Sequence, residues 1–408
     1  MQIYRKMDKT QIAQINKYNV LHCLIRGKPI NRAAIAKLTE LSIPTVMSII
    51  DDLLEKKIIF SIGKGESSGG KPPEMLGIVP DRFYYIGLDV GSTAIRVVVN
   101  DVVSRQIAYL QESTGEPFPE KQFVKRLGTL ILQVYNHLNV AQDRILGVGI
   151  AMPGLIENGT GRVLFSPDFG WSNIPLRNWL QEILPFPVII ENSNRALGLN
   201  ESYLIDDGDH THTIFSVNLG YGIGGALIMG DDVYVGASGT SGEIGHITVD
   251  TDGPVCMCGN NGCLEAVASG AAIALQGRKA AEHNHKSKMI ELCGRDLSQI
   301  DARLVFKAAN LGDKAALEII SKAAEHIGIG LSMAINVLDP DRVLLCGGLM
   351  RNGPMFFDKI KANVQKHQMR QAAHAVLIST GIGGEYSTAN GACRTLANDL
   401  WRRRALPI

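Results

Sequence analysis

The sequence lacks the features that would assign it to a membrane or secreted class. It has no run of 18 or more apolar residues, so it predicts no membrane-spanning helix. Its first ten residues are polar and basic with no apolar segment behind them, which predicts no secretory signal. Its seven cysteines are odd in number, and four of them are scattered, so they do not form a disulfide framework. These absences favour a protein of the reducing cytoplasm that makes no membrane contact.

The chain also lacks a large net charge, but its charge is unevenly spread. The 408 residues carry a formal charge of +1, whereas residues 1–80 hold twelve basic and seven acidic side chains. The length predicts two or three domains, and 45% hydrophobic with 20% charged residues is ordinary for a globular protein. A basic segment ahead of a mildly acidic body favours a separate module that binds a polyanion.

Residues 9–60 have the apolar periodicity of three helices. The first helix is predicted from about Thr10 to Arg26. Asn31 is placed to cap a short second helix, and Ser42 is placed to cap a third helix with Pro44 in its first turn. This arrangement predicts a helix-turn-helix, for which a helical protein-interaction module is the alternative.

A basic, glycine-rich loop follows the helices, between two β-rich segments. The segments are Ile58–Ile62 and Glu74–Val79. Strand, loop and strand in this position predict the wing of a DNA-binding domain spanning residues 1–80, with a linker hairpin as the alternative. We predict that the third helix contacts bases and that cations outside it contact phosphates. The predicted DNA-contacting residues are Arg32, Pro44, Thr45, Ser48, Lys64 and Lys71.

From residue 81 onward, β-rich runs alternate with helical stretches. This alternation predicts an α/β fold with mixed or parallel sheets. Two glycine-rich strand ends, near Asp89 and near Gly220, indicate two similar lobes. We predict a first lobe over residues 81–200, a second over 201–384, and a C-terminal helix within 385–408 that packs back on the first lobe.

Both glycine-rich turns have the composition of a phosphate-binding loop. Glycine lets backbone N–H groups approach a phosphate, hydroxyls add donors, and Asp89 is suited to holding a hydrated metal. An ordinary tight turn is the alternative at each place. The first turn contributes Asp89, Gly91, Ser92 and Thr93, and the second contributes Gly220, Gly222 and Gly224.

A histidine and three closely spaced cysteines predict a metal site. Cys256, Cys258 and Cys263 lie within eight residues of one another, and His246 is ten residues upstream. Three thiolates and one imidazole are the ligand set of a closed, structural zinc site, so we predict Zn²⁺ here. Buried free thiols are the alternative.

With these motifs in place, the chain resembles the ROK family of repressors and sugar kinases over essentially its whole length. Gly242–His246 followed by Cys256–Glu265 is the most specific match, and Asp89–Thr93 resembles the family's first phosphate motif. Gly69–Pro73 resembles the wing tip of the repressor branch. The resemblance implies a two-lobed actin-like ATPase/hexokinase fold behind the winged helix-turn-helix, with the same four zinc ligands.

The resemblance also implies a set of sugar-binding residues. Carboxylates and amides suit this role because they bond adjacent hydroxyl groups in pairs. Asp168 stands where kinase relatives commonly carry asparagine, so it is expected to alter ligand choice. The implied sugar-binding residues are Gly154, Asp168, Asn192, Glu243, His246 and Glu265.

The residues implied for catalysis are altered. Family kinases have Glu-Asn-Asp where this chain has Glu191-Asn192-Ser193, and a serine hydroxyl does not accept the sugar's proton at neutral pH. Tyr221 stands in the second phosphate loop where kinases usually have threonine. We therefore expect vestigial phosphate loops, no catalytic residue, no enzymatic activity and no use of ATP.

Together these features predict a sugar-responsive repressor of carbohydrate-utilisation genes. Its partners are expected to be double-stranded operator DNA and a sugar or sugar phosphate that binds between the lobes and releases the operator. It is expected to act as a homodimer or homotetramer. Two alternatives remain open, namely an active ATP-dependent sugar kinase with a DNA-binding appendage and a repressor controlled by a protein partner.

Overall fold

The structure of the protein is a computed structural model that describes residues 8–25, 29–66, 72–115, 119–205, 212–369 and 376–407. Its internal contacts divide the chain into two compact units. Unit 1 is Met1–Glu191 with Ala392–Ile408, and unit 2 is Asn192–Gly391.

Unit 1 begins with three helices and a β-hairpin, at the places that the sequence predicts. The Asn31 side chain accepts a hydrogen bond from the Ala34 N–H at 2.9 Å, and the Ser42 hydroxyl accepts one from the Thr45 N–H at 3.3 Å. These caps satisfy backbone donors that the first turns leave open. The elements are α1 Lys9–Ile25, β1 Ile30–Asn31, α2 Arg32–Thr39, α3 Ile43–Glu55, β2 Ile59–Lys64 and β3 Glu74–Ile78. The short β1 joins the hairpin of β2 and β3, so that the three strands form a sheet in the order β1-β3-β2.

The rest of unit 1 is an α/β lobe. Its elements are β4 Tyr84–Val90, β5 Ala94–Asp101, β6 Gln106–Ser113, α4 Glu120–Leu138, β7 Ile145–Met152, β8 Leu155–Ile156, β9 Val163–Ser166, β10 Trp171–Ile174, α5 Leu176–Gln181 and β11 Val188–Asn192. A five-stranded sheet has the order β11-β7-β4-β5-β6, and β8 to β10 form a small second sheet. Strands β4, β5 and β6 are antiparallel neighbours, whereas β7 runs parallel to β4.

Unit 2 is a second α/β lobe. Its elements are α6 Ser193–Leu204, β12 Thr213–Leu219, β13 Ile223–Met229, β14 Asp232–Tyr234, α7 Leu264–Ala268, α8 Gly270–His283, α9 Lys288–Leu292, α10 Ala302–Asn310, α11 Lys314–Leu338, β15 Arg342–Cys346, α12 Pro354–His367 and β16 Leu377–Thr380. Its sheet has the order β14-β13-β12-β15-β16. The last helix, α13 Ser387–Arg403, begins in unit 2 and continues into unit 1.

The two five-stranded sheets repeat one topology. In each sheet the first three strands along the chain form an antiparallel meander, β4-β5-β6 in unit 1 and β12-β13-β14 in unit 2. The first strand of each meander also pairs in parallel with a later strand, β4 with β7 and β12 with β15. The two predicted phosphate loops lie at the same place in this scheme, the turn between strands one and two of each meander. Three edge strands of these sheets, β6, β14 and β16, were not predicted from the sequence, because alternate residues of β6 are exposed and β14 and β16 have only three and four residues.

Within the described residues, no single helix is long and apolar enough to cross a membrane. Only α2 and α3 taken together reach the length and apolar content of a membrane span, and a bend of 118° separates these two helices.

Candidate functional site

The exposed face of α3 is the first candidate site. Val46, Ile50 and Leu53 are fully buried, so the opposite side of the helix faces outward. Of the predicted base-contacting residues, Pro44 and Ser48 are exposed, whereas Thr45 is half-buried with its hydroxyl 2.8 Å from the Ser42 hydroxyl.

Two further apolar residues, which are not among the predicted DNA contacts, are exposed at the edge of this face. Ile43 and Met47 are each 47% exposed. Their spacing of four residues places them on one side of the helix, directly beside the buried Val46 and Ile50, so they border the apolar face.

The predicted phosphate-contacting cations differ in their surroundings. Arg32 forms an ion pair with Glu74 and lies 3.8 Å from the Asp51 carboxylate, so it connects α2 to both α3 and β3. The guanidinium of Arg32 is the main cause of the lowered pKa of Glu74. Lys64 is exposed at the end of β2, and Lys71 lies outside the described residues.

The first predicted phosphate loop turns between β4 and β5. Ser92 and Thr93 are exposed at the turn, and the Gly91 N–H donates to the Ala94 carbonyl at 3.0 Å. Asp89 lies inside β4 and is buried, which raises its pKa to about 6 against the opposing effect of Arg96. The Arg96 guanidinium therefore already offsets part of the charge of the buried Asp89 carboxylate.

The second predicted phosphate loop is bonded to its own unit at several points. The Gly220 N–H donates to the Gly222 carbonyl at 3.0 Å, and the Gly220 carbonyl accepts from the Gly270 N–H at 2.9 Å at the start of α8. A Cβ atom on Gly224 would lie 1.9 Å from the Asn194 amide, so only glycine fits there. Tyr221 is 70% exposed at the tip of the turn.

The four predicted metal ligands come together in unit 2. One ligand atom from each of His246, Cys256, Cys258 and Cys263 lies within 4.8 Å of the others. The Cys256 Sγ is 3.7 Å from the His246 Nδ1, and the Cys258 Sγ is 3.5 Å from the Cys263 Sγ. Tetrahedral zinc with bonds of about 2.0–2.3 Å separates its ligands by roughly 3.5–3.8 Å, so the cluster fits a metal ion of this kind.

The thiols of this cluster differ in burial. Burial raises the pKa of Cys263 to about 12 and also raises that of Cys256, whereas a backbone hydrogen bond from Asn260 lowers that of Cys258. Metal binding requires thiolates. Because Cys256 and Cys263 are buried, a bound cation is needed to offset the cost of ionising them.

Two of the predicted sugar-binding carboxylates lie beside the metal cluster and the second glycine loop. The Glu243 carboxylate is 3.9 Å from the His246 Nε2, on the side of the ring that does not face Cys256. Burial raises the pKa of Glu243, while the charges of His246 and Arg195 oppose the shift. The Glu265 carboxylate accepts the Ile223 N–H at 2.8 Å, which connects it to the residue between Gly222 and Gly224 of the glycine loop.

Asn192 has a structural role of its own. Its side-chain oxygen accepts the backbone N–H groups of Asn194 at 2.9 Å and Arg195 at 3.2 Å, so it caps α6. Ser193, which the sequence resemblance matches to the base of the kinases, is the first residue of that helix.

The remaining sugar candidates belong to unit 1. Gly154 has φ of +110°, and a Cβ atom there would lie 2.2 Å from the Phe165 carbonyl oxygen, so the turn requires glycine. Asp168 is exposed in the short 3₁₀ turn Pro167–Phe169.

Comparison with known proteins identifies the family to which this chain is similar. The sequence profile of the ROK family matches residues 85–398. A putative xylose repressor from Caldicellulosiruptor sp. strain Rt8B.4 is 30% identical over 368 residues, which cover 90% of this chain and 91% of that protein. A glucokinase from Thermotoga maritima is 32% identical over 288 residues, which cover 70% of this chain and 88% of that protein.

A solved structure repeats the fold. The crystal structure of a ROK family transcriptional regulator, a homologue of the Escherichia coli MLC protein, superimposes with a TM-score of 0.80 at 22% identity. The match covers 97% of this chain and 99% of that one. The α/β architecture with mixed sheets that the sequence predicts is therefore confirmed.

Proposed function

This chain belongs to the ROK family, and from that membership we propose that it is a sugar-responsive transcription repressor of carbohydrate-utilisation genes. The observation that carries the proposal is the extent of the similarity to the putative xylose repressor. That similarity covers 90% of the chain, whereas residues 85–408 are less than four fifths of it. The alignment therefore includes part of the N-terminal segment, which holds the three helices and the hairpin.

The N-terminal segment supplies the DNA-binding function in this proposal. Residues 1–80 act as a winged helix-turn-helix, and α3, the reading helix, enters the major groove with its exposed face. Pro44, Thr45 and Ser48 contact base edges, and Arg32, Lys64 and Lys71 contact phosphates or position the wing. The ion pairs of Arg32 with Glu74 and Asp51 favour the positioning role for that residue.

Unit 2 supplies most of the sugar-binding function. Asn192, Glu243, Glu265 and His246 offer the carboxylate, amide and imidazole groups that pair with sugar hydroxyls, and the resemblance adds Gly154 and Asp168 to the proposed residues. The hydrogen bond between Glu265 and Ile223 supports this assignment, because it fixes the carboxylate in one orientation. The effector is a sugar or a sugar phosphate, and D-xylose is the first probe because the similar repressor is named for it.

Zinc holds the loop between His246 and Cys263 in this proposal. His246, Cys256, Cys258 and Cys263 would bind it as a closed structural site. The metal supplies no chemistry to a substrate. It fixes the His246 ring, whose second nitrogen lies beside Glu243.

The proposed repressor does not phosphorylate its sugar. Ser193 stands at the position of the proton acceptor, and Asp89 is paired with Arg96, which competes with any hydrated metal for that carboxylate. A kinase with a DNA-binding appendage is the second candidate, because the Thermotoga maritima glucokinase is 32% identical. Assembly as a homodimer or homotetramer on a palindromic operator in the cytoplasm completes the proposal.

The test measures DNA binding and phosphoryl transfer on the same preparation. Fluorescence anisotropy at one fixed salt concentration would follow binding to DNA from the gene's own upstream region, with and without pentoses, hexoses and their phosphates. We expect one sugar to weaken binding at least fivefold, and no sugar to stimulate ADP release. Sugar-dependent ADP release above background would establish the kinase instead. Operator binding that no sugar alters would instead favour a repressor that is controlled by a protein partner.

A further inference from the structure

The last helix, α13, begins at a buried polar network in unit 2. The Ser387 hydroxyl donates to the Glu201 Oε1 at 2.6 Å, and the Asn200 side-chain amide donates to the Ser387 oxygen at 2.9 Å. All three side chains are buried. A fully bonded buried network of this kind has one preferred geometry, because an unmade bond inside it is costly.

Glu201 also fixes the glycine-rich segment ahead of α13. Its carboxylate accepts the Ile382 N–H at 2.7 Å and the Gly383 N–H at 3.0 Å. A Cβ atom on Gly381 would lie 2.8 Å from the Glu201 Oε2, so the close approach of this segment depends on glycine. The position of Glu201 therefore determines where α13 starts.

Glu201 lies on α6, the helix that Asn192 caps. The Asn192 side-chain oxygen that accepts the Asn194 and Arg195 N–H groups is also a proposed acceptor for a sugar hydroxyl. A sugar that bonds this oxygen competes with the cap and changes the first turn of α6. The helix transmits such a change toward Glu201, since both residues belong to one hydrogen-bonded element.

The other end of α13 contacts the first helix of the DNA-binding segment, within unit 1. The Trp401 ring lies edge-on to Tyr18 at 5.4 Å and to His22 at 5.5 Å, measured between ring centroids. The Tyr18 hydroxyl accepts the Leu406 N–H at 2.5 Å and donates to the Leu406 carbonyl at 3.2 Å. The side chain of Leu406 lines a small apolar recess together with Leu21, Ile58 and Ile78.

From α1 the contacts continue to the reading helix. Lys17, adjacent to Tyr18, forms an ion pair with Asp52 of α3, and Lys56 lies 3.2 Å from the same carboxylate. Val20, Leu21 and Leu24 of α1 are fully buried in the same segment. A displacement of α1 therefore moves α3 as well, because packed helices do not deform independently.

We propose that α13 couples the proposed sugar site to the reading helix, with Glu201 and Ser387 positioning one end and Tyr18, Trp401 and Leu406 positioning the other. The inference rests on the proposed function, since it names how sugar binding alters DNA binding. Each contact lies inside one unit, and the only element that the coupling needs in common is α13 itself. Proximity alone does not establish coupling, so the experiments measure it directly.

The first experiment uses Tyr18→Phe, which keeps the ring beside Trp401 and removes both hydrogen bonds to Leu406. We expect operator affinity without sugar to stay within about twofold of the wild type, and the weakening by D-xylose, or by whichever sugar acts on the wild type, to fall toward a factor of one. A chain that ends at Arg403 should behave in the same way. Tyr234→Phe, at an exposed tyrosine of β14, is the matched control and should respond to sugar as the wild type does.

The second experiment needs neither sugar nor DNA. Amide hydrogen exchange would be compared at α1 in the wild type, Ser387→Ala and Glu201→Gln, whose substitutions lie in unit 2. We expect exchange at α1 to rise at least threefold in both variants. Ser387→Ala alone decides the matter if Glu201→Gln does not fold. Faster exchange at the start of α13 with unchanged exchange at α1 would overturn the proposal.

The two experiments separate the inference from the function on which it rests. A wild-type chain that binds no operator, or that no sugar affects, contradicts the proposed function, and the exchange measurement still decides whether α13 couples its ends. A wild-type chain that responds to sugar while Tyr18→Phe and the shortened chain respond equally well contradicts the inference alone.

Discussion

Arg96 lies directly opposite Asp89 on the neighbouring strand, with its Nη1 atom 3.4 Å from the Asp89 Oδ2. Its Nε atom also donates to the Gln111 side chain on the third strand at 3.2 Å. The three residues therefore form a row across β4, β5 and β6. This row places the Arg96 guanidinium beside Asp89, the carboxylate of the first predicted phosphate loop.

The burial of Asp89, which Arg96 offsets only in part, makes stability depend on pH. The folded-state pKa of Asp89 is about 6, above its ordinary value of 3.8, so the folded state retains a proton that the unfolded chain releases. The stabilising contribution of the protonated form is fully present below pH 4 and is lost as the pH rises through 6. At neutral pH the loss is about 3 kcal/mol.

Asp89→Asn removes this titration. We expect the melting temperature of the variant, relative to the wild type, to rise between pH 4 and pH 7, in addition to any constant difference between asparagine and protonated aspartic acid. Thermal melts across that range would measure the difference. The exposed Asp143→Asn is the matched control, and a difference between Asp89→Asn and wild type that does not change with pH would contradict the argument.

Metal content tests the four-ligand cluster. We expect about one zinc ion per chain in the purified protein, because Cys256, Cys258, Cys263 and His246 complete a tetrahedral set. Cys263→Ser should lose most of the metal and melt at a lower temperature, since the loop is then held by three ligands. Elemental analysis and thermal melts measure both. Cys293→Ser, which alters a buried cysteine outside the cluster, should keep its zinc.

The exposed methionine of the reading helix yields a prediction about base recognition. We expect Met47→Ala to weaken operator binding about tenfold, because an apolar side chain in the major groove contacts thymine methyl groups. Replacing the contacted thymine with deoxyuridine should cost the wild type a similar factor and should cost Met47→Ala little. Binding measurements on the four combinations give the coupling between side chain and methyl.

The control for that experiment is Met333→Ala. Met333 is 45% exposed on α11, close to the 47% of Met47, and it should not affect DNA binding. Independent, additive effects of Met47→Ala and deoxyuridine at every thymine would show that this side chain does not contact a methyl group.

The two carboxylates of unit 2 should separate sugar response from DNA binding. Glu243→Gln and Glu265→Gln each replace a carboxylate that would accept hydrogen bonds from sugar hydroxyls. The glutamine at position 265 retains an oxygen that can accept the Ile223 N–H. We expect at least a tenfold weaker sugar effect, with operator affinity in the absence of sugar unchanged. Titration of the sugar against the protein–operator complex measures this. The exposed Glu282→Gln should respond normally, and a wild-type response in both site variants would remove these carboxylates from the sugar site.

Local features of the fold were accessible from the sequence because each depends on residues close together in the chain. The Asn31 and Ser42 caps bond a backbone N–H three residues ahead, so residue type and position predict them. The metal cluster is similar, since its three cysteines fall within one short loop. The resemblance added the ROK family, which the profile match over residues 85–398 confirms.

Features that depend on pairing between distant segments could not be predicted from the sequence. Arg96 carries no local sign that it faces Asp89, because that contact follows from the register of two strands. Ile43 and Met47 resemble core residues in an apolar helix until the structure decides which side of α3 is buried.

The amino-acid sequence by itself determined the three N-terminal helices, their caps, the ligand set for a metal and the family, because short-range hydrogen bonds and fixed spacings encode each of them. The tertiary structure alone decided that Tyr18 bonds Leu406 across 388 positions and that Ser387 bonds Glu201 across 186. Contacts over such separations form only when the packing of many other residues brings the two segments together, so no local pattern specifies them.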